Sequence, residues 1–240
     1  MQRGRSPLRG RLPRVFDDDT IARYVYHSNR LDGVTLDEAA TRKILSGKVD
    51  APVQGDDGRE FEPEVVLGHK RALLGMQLVA EEQKPVSQED LKTLHRALMG
   101  ELLLSAGEYR ECNLRYKGLL IASPPEHLGE RMTWLLNLVN SGLEKAQDAH
   151  KFSWRIHHEF ITLHPFIEGN GRMARLLMNL IRIRRKLPIT IVTYEDREKY
   201  SKAIIEFQQQ KIARAHEKMR ASGETSGIGR ISGEGTLEPQ

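Results

Sequence analysis

Within twelve residues, 164–175, stand an imidazole (His164), a carboxylate (Glu168), an asparagine between two glycines (Gly169, Asn170, Gly171) and two guanidinium groups three apart (Arg172, Arg175). The apolar residues Phe152, Ile156, Phe160 and Leu163 before them recur at helical spacing and predict a helix facing a core. Pro165 disfavours helical geometry at the residue before it, so that helix ends at His164 and leaves the imidazole at its rim. A second helix begins after Gly-Asn-Gly, with Met173, Leu176, Leu177, Leu180 and Ile181 on its apolar face. The glycines let the backbone approach a ligand closely or take positive φ. The unpaired N–H groups and positive dipole end of the new helix point to the same place. Cations in a first helical turn are disfavoured unless an anion compensates them, and guanidinium forks match paired phosphate oxygens. The pattern therefore predicts a polyanion site. Glu168 is a candidate oxygen ligand for Mg²⁺ shared with substrate phosphates. His164 is the nearby group that titrates near neutrality, a candidate general base. The chemistry implied is transfer of a phosphorus group to a nucleophile activated by His164. Taken singly, each part has an ordinary structural reading: a helix-end histidine, a tight turn, a solvated arginine pair. Their convergence within twelve residues favours the site.

The elements that must position this stretch read as helical. Thr35 and Glu38 have capping-box spacing and Gly47 is a stop signal, predicting a helix over 36–46. A loop with Gly55, Asp56, Asp57 and Gly58 follows. Val66, Leu73, Leu74, Leu78 and Val79 mark a helix over 63–82, and Ser87 caps another with Leu91, Leu94 and Leu98 inward. Further helices are predicted over 127–141 and 149–163. Residues 113–121 differ: two short extended pieces around Lys117-Gly118, closed by Pro124-Pro125, predict a hairpin. The fold class expected is all-α with one short β-hairpin.

Composition bounds the partners. The 240 residues are 39% hydrophobic and 29% charged, enough for one core with tails. Net charge is +4, yet Arg3, Arg5, Arg9, Arg11 and Arg14 put +5 into the first fourteen residues and leave a near-neutral body. Basicity thus belongs to a Gly/Pro/Arg-rich tail, which reads as a solvated arm, with docking to an acidic partner as the alternative. The predicted division is a basic tail over 1–15, an N-terminal region over 16–50, a core over 51–220 and a second tail over 221–240. Cys112 is the single cysteine, which excludes an intramolecular disulfide and a Cys-rich zinc site. No apolar run reaches membrane-helix length and the start lacks a signal's apolar region, so a cytoplasmic location is expected and no membrane partner.

HPFIEGNGRMAR resembles the core motif of the Fic (Fido) family, HxFx(D/E)GNGRxxR, at every specified position. SWRIHHEFITLHPF is similar to that family's approach helix, and GEYRECNLRYKGLLIASPP to its hairpin flap. LGHKRAL and PITIVTYEDREKY extend the likeness to roughly residues 20–215. The resemblance implies a Fic-type helical bundle that moves AMP from Mg²⁺-ATP to a Ser, Thr or Tyr hydroxyl of a target protein. On its terms His164 deprotonates the hydroxyl, Phe166 anchors the loop and Glu168 holds Mg²⁺. Gly169, Asn170 and Gly171 form the anion hole, and Arg172 and Arg175 grip the outer phosphates. Tyr116, Lys117, Gly118 and Leu119 form the flap tip that holds the target as an added strand. Gln208 falls where the family has a polar contact to the nucleoside. A homodimer is common among similar proteins.

Ser28-Asn29-Arg30-Leu31-Asp32-Gly33 resembles the family's inhibitory segment, (S/T)xxxE(G/N), whose glutamate pairs with the second motif arginine, here Arg175. Asp32 stands where the family has Glu and reaches about 1.5 Å less. The expectation is a brake that is present but leaky, made by Ser28 and Asp32; an ordinary turn is the alternative. The same carboxylate could instead position water to remove AMP. The motif reads phosphates and leaves the base of the donor open. A zinc hydrolase built on His157, His158, Glu159 and His164 lacks the HExxH spacing, and no P-loop occurs. A nucleic-acid-binding regulator would use the tail and the cluster Arg182, Arg184, Arg185, Lys186, and is not favoured while the motif is intact.

Overall fold

The computed structural model describes residues 16–114 and 123–221. Eight α-helices follow one another among them: α1 Asp18–Leu31, α2 Glu38–Leu45, α3 Glu64–Glu81, α4 Gln88–Met99, α5 Leu128–Lys145, α6 Ala149–Leu163, α7 Asn170–Arg184 and α8 Arg197–Ala221. The fold is all-α with one small two-stranded sheet, as expected in class. The sheet is not where a hairpin was expected. It pairs β1 Val53–Gln54 with β2 Glu60–Phe61, Val53 opposite Phe61, in the segment read from sequence as a loop. Strands of two residues carry no alternation that a sequence pattern can reveal. Of the expected hairpin over 113–121, residues 115–121, with Tyr116, Lys117, Gly118 and Leu119, lie outside the described residues, as do both tails.

Helix starts follow capping chemistry. The Ser87 hydroxyl accepts from the Asp90 N–H while the Asp90 carboxylate accepts from Ser87, a reciprocal box at the start of α4. At α2 the expectation is corrected: Asp37, not Thr35, caps, accepting from the Ala40 N–H at 2.6 Å. Thr35 instead donates its hydroxyl proton to Asp57 at 2.6 Å. The tie belongs to the turn of the hairpin, whose Arg59 also donates to the Gly33 carbonyl at 2.6 Å. Arg30 donates to the Thr35 carbonyl and to Asp56 at 2.8 and 2.7 Å. The hairpin thus fastens the turn that ends α1.

α7 is the central element. It packs on α6, α3, α1, α4 and α5, and Met173, Leu176, Leu177, Leu180 and Ile181 are at most 1% exposed. A helix so enclosed buries its polar residues as well, and Arg172, Arg175, Asn179 and Arg182 are all interior. The cluster at its far end closes other helices. Arg185 donates to the Leu143 and Ala146 carbonyls at the end of α5, Arg184 to the Val79 carbonyl and Arg182 to the Pro188 carbonyl. Those guanidiniums satisfy main chain and do not form a basic face. Of the apolar positions that marked α3, Leu78 faces outward, 56% exposed. Among the described residues no helix is long and apolar enough to cross a membrane.

α4 must lie close to α3 for its inward residues to reach the 164–175 loop, and Gly68 permits this. A Cβ at Gly68 would stand 2.5 Å from the Leu98 carbonyl oxygen, a backbone atom that cannot swing away. Gly68→Ala is expected to lower unfolding stability by about 1–3 kcal/mol, measured by urea denaturation.

Candidate active site

α6 ends on His164, whose backbone is left-handed at φ 49°. This conformation is strained for a residue with a Cβ and is typical of sites that over-determine it. Arg110 supplies part of that constraint. Its Nε donates to the His164 carbonyl at 2.8 Å and its backbone N–H to the Pro165 carbonyl at 2.9 Å. Its other nitrogens donate to the Cys112 and Ser123 carbonyls. His164 Nδ1 lies 3.3 Å from the Ile161 carbonyl; the tautomer that donates there carries its basic lone pair on Nε2. Burial pushes the His164 pKa below its ordinary value, so the imidazole is neutral, the form able to accept a proton.

The loop is pinned from inside. Phe166 is fully buried and stacks face to face on His95, ring centroids 3.8 Å apart. His95 Nδ1 accepts from the Gly107 N–H at 2.8 Å, so Nε2 carries the proton and donates to the Glu168 carbonyl at 3.0 Å. The Asn170 side chain clamps Phe166, accepting from its N–H at 3.0 Å and donating to its carbonyl at 2.8 Å. Gly169 takes φ 77°, and its N–H donates to Glu168 Oε1 at 3.0 Å. With a glycine at the cap and no side-chain cap, the first N–H groups of α7 face outward from the helix end.

An anion of the protein itself lies at that end. A Cβ placed on Gly171 would stand 2.5 Å from Asp32 Oδ1, which sets the carboxylate against the first turn of α7. Asp32 Oδ1 accepts from Arg175 Nη2 at 2.7 Å, and Oδ2 lies 3.4 Å from Arg172 Nε. Arg175, 2% exposed, also donates through Nε to the Ser28 hydroxyl at 2.7 Å and through Nη2 to the Ser28 carbonyl at 2.8 Å. Burial opposes the Arg175 charge, but the Asp32 charge prevails and its pKa rises. Arg172, 4% exposed, keeps Nε and Nη1 buried without a hydrogen-bond partner among the described residues. Buried, unpaired donors of a cation are expensive unless an anion meets them. The sequence reading brought Ser28, Asp32, Glu168, Gly169, Asn170, Gly171, Arg172 and Arg175 together, and the structure places them at one helix end.

Glu168 is exposed, 3.6 Å from Arg172 Nη2. Among the described residues no three His, Cys, Asp or Glu side chains group as a metal cage. A lone carboxylate at the rim of an anion site fits Mg²⁺, which binds chiefly through substrate phosphates and water. Gln208 is buried in α8, its Nε2 3.4 Å from the Thr162 hydroxyl and its Oε1 without a protein partner among the described residues. Beside the Asp32 turn opens a groove of about 840 Å³, bordered by Leu31, Gly33, Ser201, Ile205 and Gln209. Sequence reasoning missed His95, Arg110 and Tyr200. A histidine on the apolar face of a predicted helix, at 95 beside Leu91, Leu94 and Leu98, was the one signal available.

In sequence and fold the chain is similar to known proteins. The sequence profile of the Fic/DOC family matches residues 85–181. Protein adenylyltransferase fic-1 of Caenorhabditis briggsae is 32% identical over 184 residues, 76% of this chain and 36% of that protein. Protein adenylyltransferase Fic of Nematostella vectensis is 31% identical, over 74% of this chain and 41% of its own length. The chain therefore spans little more than a third of the curated relatives it matches. Two solved structures share the fold. A Fic-domain-containing signalling protein from Bacteroides thetaiotaomicron aligns with TM-score 0.69 and 25% identity, over 78% of this chain and 71% of that one. Residues 134–508 of Fic-1 from Caenorhabditis elegans align with TM-score 0.66 and 27% identity, over 85% and 65%.

The His95 contacts make a prediction. His95→Phe keeps a ring against Phe166 but strands the Glu168 carbonyl and the Gly107 N–H. It should cost about 2 kcal/mol in urea denaturation near neutral pH. Burial lowers the His95 pKa to about 4 from 6.5. On acidification the unfolded chain takes up this proton first, so the folded state loses stability between pH 6.5 and about 4. The gap between wild type and variant should narrow across that window.

Proposed function

Because the chain belongs to the Fic/DOC family, we propose that it transfers AMP from ATP to a Ser, Thr or Tyr hydroxyl of a protein. The incoming hydroxyl oxygen bonds to the α-phosphorus, the bond from that phosphorus to the bridging oxygen of the β-phosphate breaks, and pyrophosphate leaves. His164 Nε2 takes the hydroxyl proton. A hydroxyl is a weak nucleophile at neutral pH, and a positioned base contributes about 10²–10⁴-fold. The N–H groups at the start of α7 and the two arginines hold the phosphates in place and stabilise their charge. Glu168 would hold Mg²⁺ together with those phosphates, and the ion when bound neutralises phosphate charge.

The observation that carries this reading is the Asp32 carboxylate, seated against Gly171 and between Arg172 and Arg175. A site that accepts one carboxylate on a helix N-terminus and two buried guanidiniums is built for an anion. The same carboxylate excludes a phosphate from the position it fills, so Ser28 and Asp32 act as a brake. The shorter aspartate reaches both arginines from the end of α1, one oxygen to each. That arrangement supports a brake that closes.

The test uses ATP labelled at the α or the γ position. Wild-type protein should incorporate little label, Asp32→Gly at least tenfold more from the α position, and His164→Ala in the Asp32→Gly background none. Label arriving from the γ position instead would make the protein a kinase and overturn the reading. Equal α-labelling with and without Asp32 would remove the brake.

A further inference from the structure

Arg175 offers five N–H donors, and the partners of three lie on α1 or at its C-cap: the Ser28 hydroxyl, the Ser28 carbonyl and Asp32. These partners belong to the segment that must yield when a phosphate enters. The fourth partner is elsewhere. Arg175 Nη1 donates to the Tyr200 hydroxyl at 3.0 Å, near the start of α8. That hydroxyl also lies 2.8 Å from Nε2 of His157 on α6. Arg175 can only donate, so the tyrosine oxygen accepts from it; with His157 as its Nδ1–H tautomer, Nε2 accepts the tyrosine's own proton. In that tautomer the chain runs from Arg175 to Tyr200 to His157, and the buried His157 Nδ1 has no hydrogen-bond partner among the described residues. Its end is a neutral imidazole that is wholly buried; burial, with His158 and Arg175 nearby, holds the His157 pKa well below its ordinary value. His157 lies on α6 about two turns before His164, the residue that caps the end of that helix. The anchor of the phosphate-gripping arginine thus sits on the helix whose end presents the proposed base.

We propose that Tyr200, held by His157, is a positioning residue that keeps the Arg175 guanidinium aimed at the phosphate site whether or not α1 supplies its contacts. With α1 seated, three other hydrogen bonds hold Arg175 and the tyrosine is redundant. With Asp32 displaced, Tyr200 is the contact that does not depend on α1, and it limits the freedom the guanidinium regains. Chained hydrogen bonds of one direction polarise one another, so losing the acceptor at His157 weakens the Tyr200 contact as well. The arrangement rests on the reading of the site as an ATP site. It adds that the active geometry is set from α6 and α8, and that α1 only opposes it.

The experiment is done in the full chain carrying Asp32→Gly, where α1 no longer supplies its carboxylate. Mg-ATP binding is measured by calorimetry, and KM and kcat for α-label incorporation in parallel. Tyr200→Phe, which keeps the ring, should weaken ATP binding and raise KM about tenfold or more while kcat changes less than threefold. His157→Leu should weaken ATP binding in the same direction, and His157→Gln, whose amide oxygen can accept the tyrosine proton, should recover most of it. Thermal melting identifies any variant that fails to fold. ATP affinity unchanged by Tyr200→Phe, or equal affinity in the His157→Leu and His157→Gln variants, would overturn the proposal. If Asp32→Gly itself binds no ATP, the failure lies in the nucleotide reading and not in the relay.

Discussion

A guanidinium that is 2% exposed cannot be left without a counter-charge, and the architecture around Arg175 follows from that constraint. Removing one partner of a buried ion pair typically costs about 3–5 kcal/mol, because the other charge is left uncompensated. Arg175 is on the most enclosed helix of the molecule, so solvent cannot meet its charge. The chain meets it with Asp32, delivered from 143 residues upstream. A phosphate could satisfy the same demand. On the proposed function, internal carboxylate and external anion are alternatives for one place, and the fold of α1 against α7 would make them compete.

The placement of Asp32 answers a question of reach. A carboxylate one methylene shorter than glutamate would fall short if it projected from the body of a helix. Asp32 stands one residue beyond α1, as its C-cap, and Gly33 follows at φ 89° to turn the chain away. The hairpin residues Asp56, Asp57 and Arg59 fasten that turn through Arg30, Thr35 and the Gly33 carbonyl. The backbone itself comes to the site, and the oxygens divide between Arg175 and Arg172 in place of a fork on Arg175 alone. A short side chain in a fixed turn loses less conformational freedom than a long one on a mobile segment.

Local rules made much of this legible. Pro165 fixed the end of α6, the glycines announced the turn into α7, and the period of Met173, Leu176, Leu177, Leu180 and Ile181 described its apolar face. Ser28 and Asp32 were readable because their spacing matched a known pattern. Other residues were silent because their roles depend on partners distant in sequence. His95 stands 73 residues from the carbonyl it supports, and Tyr200 stands 43 from His157. Thr35 was misread as a cap because Asp37 and Asp57 competed for the same local roles. The strands at 53–54 and 60–61 are too short for any period. Arginines 182, 184 and 185 read as a basic patch because sequence shows their charge and not the carbonyls they meet.

On the proposed function, one place at the start of α7 is held in turn by Asp32 and by phosphate. A crystal structure of Asp32→Ala soaked with Mg-ATP tests it directly. The triphosphate should lie on the N–H groups of residues 170–172, with Arg172 and Arg175 on its oxygens and the α-phosphorus facing His164. Nucleotide bound elsewhere, with that helix end filled by rearranged side chains, would contradict it.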